Sequence, residues 1–149
     1  MIEFRSEPLD PMLSDAAALF ELHYQELTLH KESVKLKPML ENYRQIERAG
    51  KLAVYTARDD GELVGYGVFF VAPHIHYGDT IVAMNDVLFL HPAHRKGSMG
   101  TRLIKFCEQQ LRARGAHKIA WHIKLSLDWS PILIRLGYVT EEITVGKLL

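Results

Sequence analysis

Across residues 85–101 an apolar run from Val87 to Leu90 meets Pro92. A short basic stretch with small residues, His94-Arg95-Lys96-Gly97-Ser98-Met99-Gly100-Thr101, then leads directly into an amphipathic helix. No other part of the chain restricts the fold so tightly. It demands a buried strand, a loop that bares its backbone and a helix N-terminus in series. The first four N–H groups of a helix lack partners within it, and the helix dipole leaves partial positive charge there. Such a junction attracts an anion, above all a phosphate. Gly97, Ser98 and Gly100 admit a ligand close to the backbone, and Arg95 and Lys96 add positive charge. A phosphorylated ligand is the expected occupant.

The remaining pattern places this junction in a single α/β domain. A short strand is expected over residues 2–5, and Ser14 or Asp15 is expected to cap a helix running to about Leu29. A second helix follows over 39–49, stopped by Gly50. Strands over 51–58 and 62–71 flank the turn Asp59-Asp60-Gly61, and a further strand covers 80–90. The long helix over 99–114 turns Leu103, Ile104, Phe106, Cys107 and Leu111 inward, and a strand follows over 117–125. Asp128 then caps a short helix with Pro131 in its first turn, and a last strand or pair of strands opens at Gly137-Tyr138. The order reads βααββ-β-α-β-α-β, without linker, repeat or low-complexity tract.

Composition narrows the partners. Eighteen basic and eighteen acidic residues cancel, which gives no support for broad nucleic-acid binding or for electrostatic attachment to a membrane. No apolar run approaches a membrane span, and Met1-Ile2-Glu3-Phe4-Arg5 does not read as a signal peptide. The single cysteine, Cys107, excludes an internal disulfide and fits a reducing cytosol, so a cytoplasmic location is expected. Its place among the apolar positions of the long helix marks a packed thiol.

Three segments in order resemble the GNAT superfamily of N-acetyltransferases, over nearly the whole chain: Asp59-Asp60-Gly61-Glu62-Leu63-Val64-Gly65-Tyr66, Leu88-Phe89-Leu90-His91-Pro92-Ala93-His94-Arg95, and Arg135-Leu136-Gly137-Tyr138. His76-Tyr77, Asn85-Asp86-Val87 and Lys147-Leu148-Leu149 look most like a subgroup encoded by phages and prophages. The resemblance implies a central mixed, mostly antiparallel sheet flanked by helices and splayed at a cofactor cleft. It also implies direct acetyl transfer from acetyl-CoA, without metal, to a small-molecule or protein amine, and leaves a homodimer open. Its pyrophosphate loop, Q/R-x-x-G-x-G/A, falls on Arg95, Ser98 and Gly100, with Ser in place of the first Gly and Gly97 one position early. Acetyl-CoA would then lie over Arg95, Lys96, Gly97, Ser98, Met99, Gly100 and Thr101, with pantetheine along Leu88, Phe89 and Leu90. Two family positions depart. The pantetheine-binding Asn is Ser126, and the Tyr that protonates the leaving thiolate falls on Leu133, which cannot donate a proton. Those departures motivate an alternative, a weak or inactive CoA-binding protein that docks to a protein partner.

Several polar residues carry two readings each. Asp86, an acid inside an apolar run, is either a strand-end carboxylate or the base that deprotonates the amine, and it aligns with the Glu of many family members. His122 is a structural histidine or a second catalytic candidate. By the resemblance, His23 and Tyr24 on the first helix, and His76 and Tyr77 before the fourth strand, reach the acceptor; otherwise they are polar surface and turn residues. His74-x-His76 and His91-x-x-His94 sit at proline turns without cysteines, a poor metal pattern. Trp121 and Trp129 read as packing residues. No G-x-x-x-x-G-K-[ST] is present, which excludes a P-loop nucleotidase.

Overall fold

The computed structural model describes residues 1–149. A sheet of five strands forms its centre, in spatial order β1-β2-β3-β4-β5: β1 Ile2–Ser6, β2 Leu52–Asp59, β3 Glu62–Pro73, β4 Ile81–Leu90 and β5 Lys118–Ala120. Every neighbouring pair is antiparallel except β4 and β5, which run parallel. The sheet is therefore mixed and mostly antiparallel, as the resemblance implied. Asp60 and Gly61 both take positive φ between β2 and β3, the geometry of a tight hairpin turn whose twist matches its strands.

Helices cover both faces, so β2 is buried nearly along its length. One face packs Ala53, Tyr55, Phe69 and Ala83 against Leu103, Cys107 and Leu111 of α4, Met99–Ala113. The opposite face packs Leu52, Val54, Tyr66, Val68 and Phe89 against Leu9, Met12 and Leu19 of α1, Leu9–Asp15, and α2, Ala17–Leu27. Helix α3, Leu40–Arg48, lies beside them and gives the Glu47 carboxylate to the first N–H of α1 at 2.7 Å. Burial pushes the Cys107 thiol up, and the side chain is fully covered.

The first helix differs from expectation. Neither Ser14 nor Asp15 caps it: both lie at the end of α1, and α2 restarts at Ala17 without a side-chain cap. Asp15 is recruited instead by the buried guanidinium of Arg58, at 2.8 Å, which also holds Glu7 through two bonds of 2.7 and 2.9 Å. The helix ends at Leu27, and Leu29 is exposed.

The C-terminal part differs more. The strand expected over 117–125 closes after Ala120, because Asn85 of β4 replaces its ladder. The Asn85 amide donates to the His122 carbonyl at 3.1 Å and accepts from the His122 N–H at 2.5 Å. A side chain longer than a peptide hydrogen bond thus wedges the two parallel segments apart. A 3₁₀ turn at Leu125–Leu127 and helix α5, Ser130–Arg135, follow, with Asp128 accepting from the Ser130 N–H at 2.8 Å. No strand forms after Gly137. Val139, Ile143 and Val145 stand exposed, since strand propensity without a partner backbone makes no ladder.

Candidate active site

The junction read first from the sequence is built as expected. Strand β4 ends at Leu90, a 3₁₀ turn covers Pro92–His94, and α4 begins at Met99. Gly97 holds φ near +61°, a left-handed conformation that other residues adopt at a cost, and it swings the chain into the helix. The N–H groups of Gly97, Ser98, Gly100 and Thr101 meet no carbonyl. No atom lies within 4 Å of where a Cβ at Gly100 would sit. Free amides around an open cradle at a helix start suit a phosphate.

Beside this loop runs a slot of about 260 Å³, lined by Leu88, Phe89 and Leu90 on one side and by Gly97, Gly100 and Thr101 on another, with Ile132 and Trp129 closing it. Three expected residues stand apart from the slot lining: Lys96, Ser98 and Met99. Ser126 sits exposed on the 3₁₀ turn and lines neither the slot nor the cavity behind it. Arg95 lines the slot, yet its guanidinium is committed. It grips both carboxylate oxygens of Glu26, donates from Nε to the Leu90 carbonyl at 2.8 Å, and lies 5.3 Å from the centre of the Phe89 ring. The arginine pins the loop to α2 rather than offering a free cation, and its proximity holds the Glu26 carboxyl below the usual range.

Across β4 opens a larger cavity of about 410 Å³, walled by α1, α2, α3, the segment 34–38 and the chain after β5. The slot and the cavity share Leu27, Leu88, Leu127 and Trp129 as lining, so they meet where β4 and β5 part. Trp129, expected as a packing residue, forms part of both walls.

Asp86 lines the cavity, two residues before the shared Leu88, for a reason visible in the register. Val68 pairs with Val87 and Phe69 with Asn85, which leaves Asp86 as the extra residue of a β-bulge. A bulge bends its strand and re-aims a side chain. The Asp86 carboxylate, half-buried in the cavity wall, accepts from the Tyr43 hydroxyl at 2.5 Å. Burial, and then the bond to Asp86, raise the Tyr43 phenol well above its ordinary value, so the proton stays on Tyr43 and Asp86 remains the acceptor. His122, exposed, lines the same cavity while its backbone serves the wedge of Asn85.

His23 and Tyr24 also line the cavity, and each is tied down. His23 Nδ1 meets the Tyr66 hydroxyl at 2.8 Å and stacks on Phe89 at 4.7 Å. Burial lowers its pKa to about 4, so the ring is neutral near pH 7. The Tyr66 hydroxyl has no other partner, so it donates to Nδ1 and leaves the ring proton on Nε2. Tyr24 donates to the Val34 carbonyl at 2.7 Å and fixes the segment that roofs the cavity. Tyr77 stacks on His74 at 4.8 Å, with His76 edge-on to Tyr77, on the exposed connection between β3 and β4, outside the cavity and the slot. No group of three His, Cys, Asp or Glu side chains gathers as a metal site. Sequence reasoning missed Tyr43 and Asn85. Asn85, an amide in an apolar strand, carried the same signal as Asp86.

The sequence profile described as the acetyltransferase (GNAT) family matches residues 16–138. No curated protein matches the sequence significantly. Solved structures share its fold. A Trypanosoma brucei acetyltransferase is 19% identical, with all of each chain covered and a TM-score of 0.69. A ribosomal-protein-alanine N-acetyltransferase from Brucella melitensis biovar Abortus 2308 is 16% identical, covering 100% of this chain and 99% of that one at a TM-score of 0.71. An aminoglycoside acetyltransferase from a soil metagenomic sample is 17% identical, covering 100% and 98% at a TM-score of 0.73. No helix is long and apolar enough to cross a membrane.

Proposed function

The chain belongs to the acetyltransferase (GNAT) family and is thus an acetyl-CoA-dependent acetyltransferase; from that premise we propose that it acetylates an amine seated in the larger cavity, directly and without a covalent enzyme intermediate. One observation carries the reading. The phosphate-suited slot and the cavity meet at Leu88 of β4, two residues after the bulged Asp86 that lines the cavity.

The free amides of Gly97, Ser98, Gly100 and Thr101 hold the pyrophosphate, and the stretch from Leu88 to Leu90 lines the path toward the junction. Acetyl-CoA supplies a thioester carbonyl; transfer forms the C–N bond, breaks the C–S bond and releases CoA. Asp86 takes the proton that the amine must lose, and Tyr43 holds the carboxylate in place. Leu133 is buried, lines neither the slot nor the cavity, and has no proton to give. CoA therefore leaves as the thiolate and is protonated by solvent, which ordinary thiol acidity permits near neutral pH.

The test has two stages. Ligand at about 100 times its dissociation constant adds roughly 2.7 kcal/mol to stability, so acetyl-CoA raises the melting temperature. Release of free CoA thiol is then followed over a panel of amines. No thermal shift at millimolar acetyl-CoA overturns the cofactor assignment. A shift without release on any amine favours a docking protein instead.

A further inference from the structure

The charge of the acceptor is written in the cavity wall. Asp86 is the only carboxylate residue in it, whereas Lys35, Lys37 and Lys124 line it with no carboxylate partner. The lysines reach it from two sides, Lys35 and Lys37 from the segment between α2 and α3 and Lys124 from the chain after β5. All three lysines are exposed, which sets them at the mouth, and Tyr24 ties down the Val34 carbonyl next to the first pair at 2.7 Å. Met12, Leu13, Phe20 and Leu27 give the cavity apolar walls. Asp86, half-buried, lines the cavity two residues before Leu88, which the slot shares.

A polycation brought here meets three like charges and a single carboxylate. An amine with an apolar body and a negative group at its far end meets opposite charge at both ends. We infer that the acceptor is a small primary amine of that kind, its nitrogen at Asp86, its apolar body between the walls and its anionic group among Lys35, Lys37 and Lys124. This inference rests on the acetyl-transfer reading for its chemistry and on the cavity alone for its specificity. It also separates the chain from the aminoglycoside acetyltransferases that share its fold, whose named acceptors are polyamines.

Three probes test it: 4-(aminomethyl)benzoate, benzylamine, which lacks only the carboxylate, and kanamycin, a polycation. Calorimetry in the presence of CoA measures binding, and CoA release from acetyl-CoA measures turnover. The carboxylated amine is expected to bind roughly tenfold more tightly than benzylamine, the sum of three weak exposed attractions. Kanamycin is expected to bind worst. At about 1 M salt, where screening acts over ~3 Å, the preference falls toward one. Lys35→Gln, Lys37→Gln and Lys124→Gln combined lower the ratio in the same way. Equal binding of the two aromatic amines, or tighter binding of kanamycin, overturns the inference. The preference in binding without CoA release upholds the inference and overturns the acetyl-transfer reading; release without the preference does the reverse.

Discussion

The Tyr43 hydroxyl donates to Oδ2 of Asp86 at 2.5 Å, joining α3 to the bulge of β4. This single bond decides how the carboxylate faces the cavity. One oxygen is occupied by a phenol that keeps its proton, and the other has no hydrogen-bond partner in the protein.

Asp86→Asn keeps the shape and the bond to Tyr43 but cannot accept a proton. Turnover is expected to fall about 100- to 10,000-fold while acetyl-CoA affinity holds. Tyr43→Phe frees the carboxylate without removing it, and the loss is expected to be smaller. Steady-state rates with calorimetric affinities check both. Unchanged turnover for Asp86→Asn returns Asp86 to a structural role and directs attention to His122, in the same wall.

Gly100→Glu is expected to abolish acetyl-CoA binding and leave the fold intact. A side chain at this position starts in open space, so the protein itself is not disturbed. It then fills the cradle of free amides and sets a negative charge where a phosphate would lie. The variant is expected to melt close to the parent and to show no shift with acetyl-CoA. Binding equal to the parent's would place the pyrophosphate elsewhere.

The segments that local pattern controls were legible in the sequence. The apolar run, the proline and the small residues of 87–100 are neighbours in the chain, and together they determine the strand, the loop and the helix start. The turn Asp59-Asp60-Gly61 likewise marks the hairpin of β2 and β3. What was hidden depends on meetings across the chain. Tyr43 carries no local mark of its bond to a residue 43 positions away. Alternation from Ile119 to Leu125 reads as one long strand, yet Asn85, far off in sequence, ends it after Ala120. The pairing of Arg95 with Glu26, 69 positions away, was hidden for the same reason. The lysines at the cavity mouth gave no signal, since isolated surface lysines are ordinary.

Acid weakens this fold through His23. Its folded pKa of about 4 lies below the 6.5 of the free side chain. Between those values the unfolded chain binds more protons, so stability rises with pH through that window and is lost as pH falls from about 6.5 toward 4. The carboxyl of Glu7, lowered by Arg58, loses its contribution in the same direction but at more acid pH. From pH 7 to pH 5 the His23 share is on the order of 2 kcal/mol. His23→Gln still accepts from Tyr66 and does not titrate. Urea unfolding at the two pH values is expected to show a smaller drop for the variant. An equal drop would mean that His23 is protonated in the folded protein without penalty.

Leu133→Tyr separates position in a motif from position in space. The resemblance to the family sets Leu133 at the place of a proton-donating phenol, so a tyrosine there would be expected to quicken the departure of CoA. The structure points the other way. Leu133 is 4% exposed and lines neither the slot nor the cavity, whereas its neighbour Ile132 lines the slot. A phenol at 133 must enter packed interior, and overpacking of this kind costs roughly 1–3 kcal/mol. The expected outcome is a lower unfolding midpoint and no rise in the rate of CoA release, even for amines that attack fast. A folded variant with faster chemistry-limited release would show that Leu133 does face the sulfur. The thiolate would then gain from a donor that Leu133 does not provide.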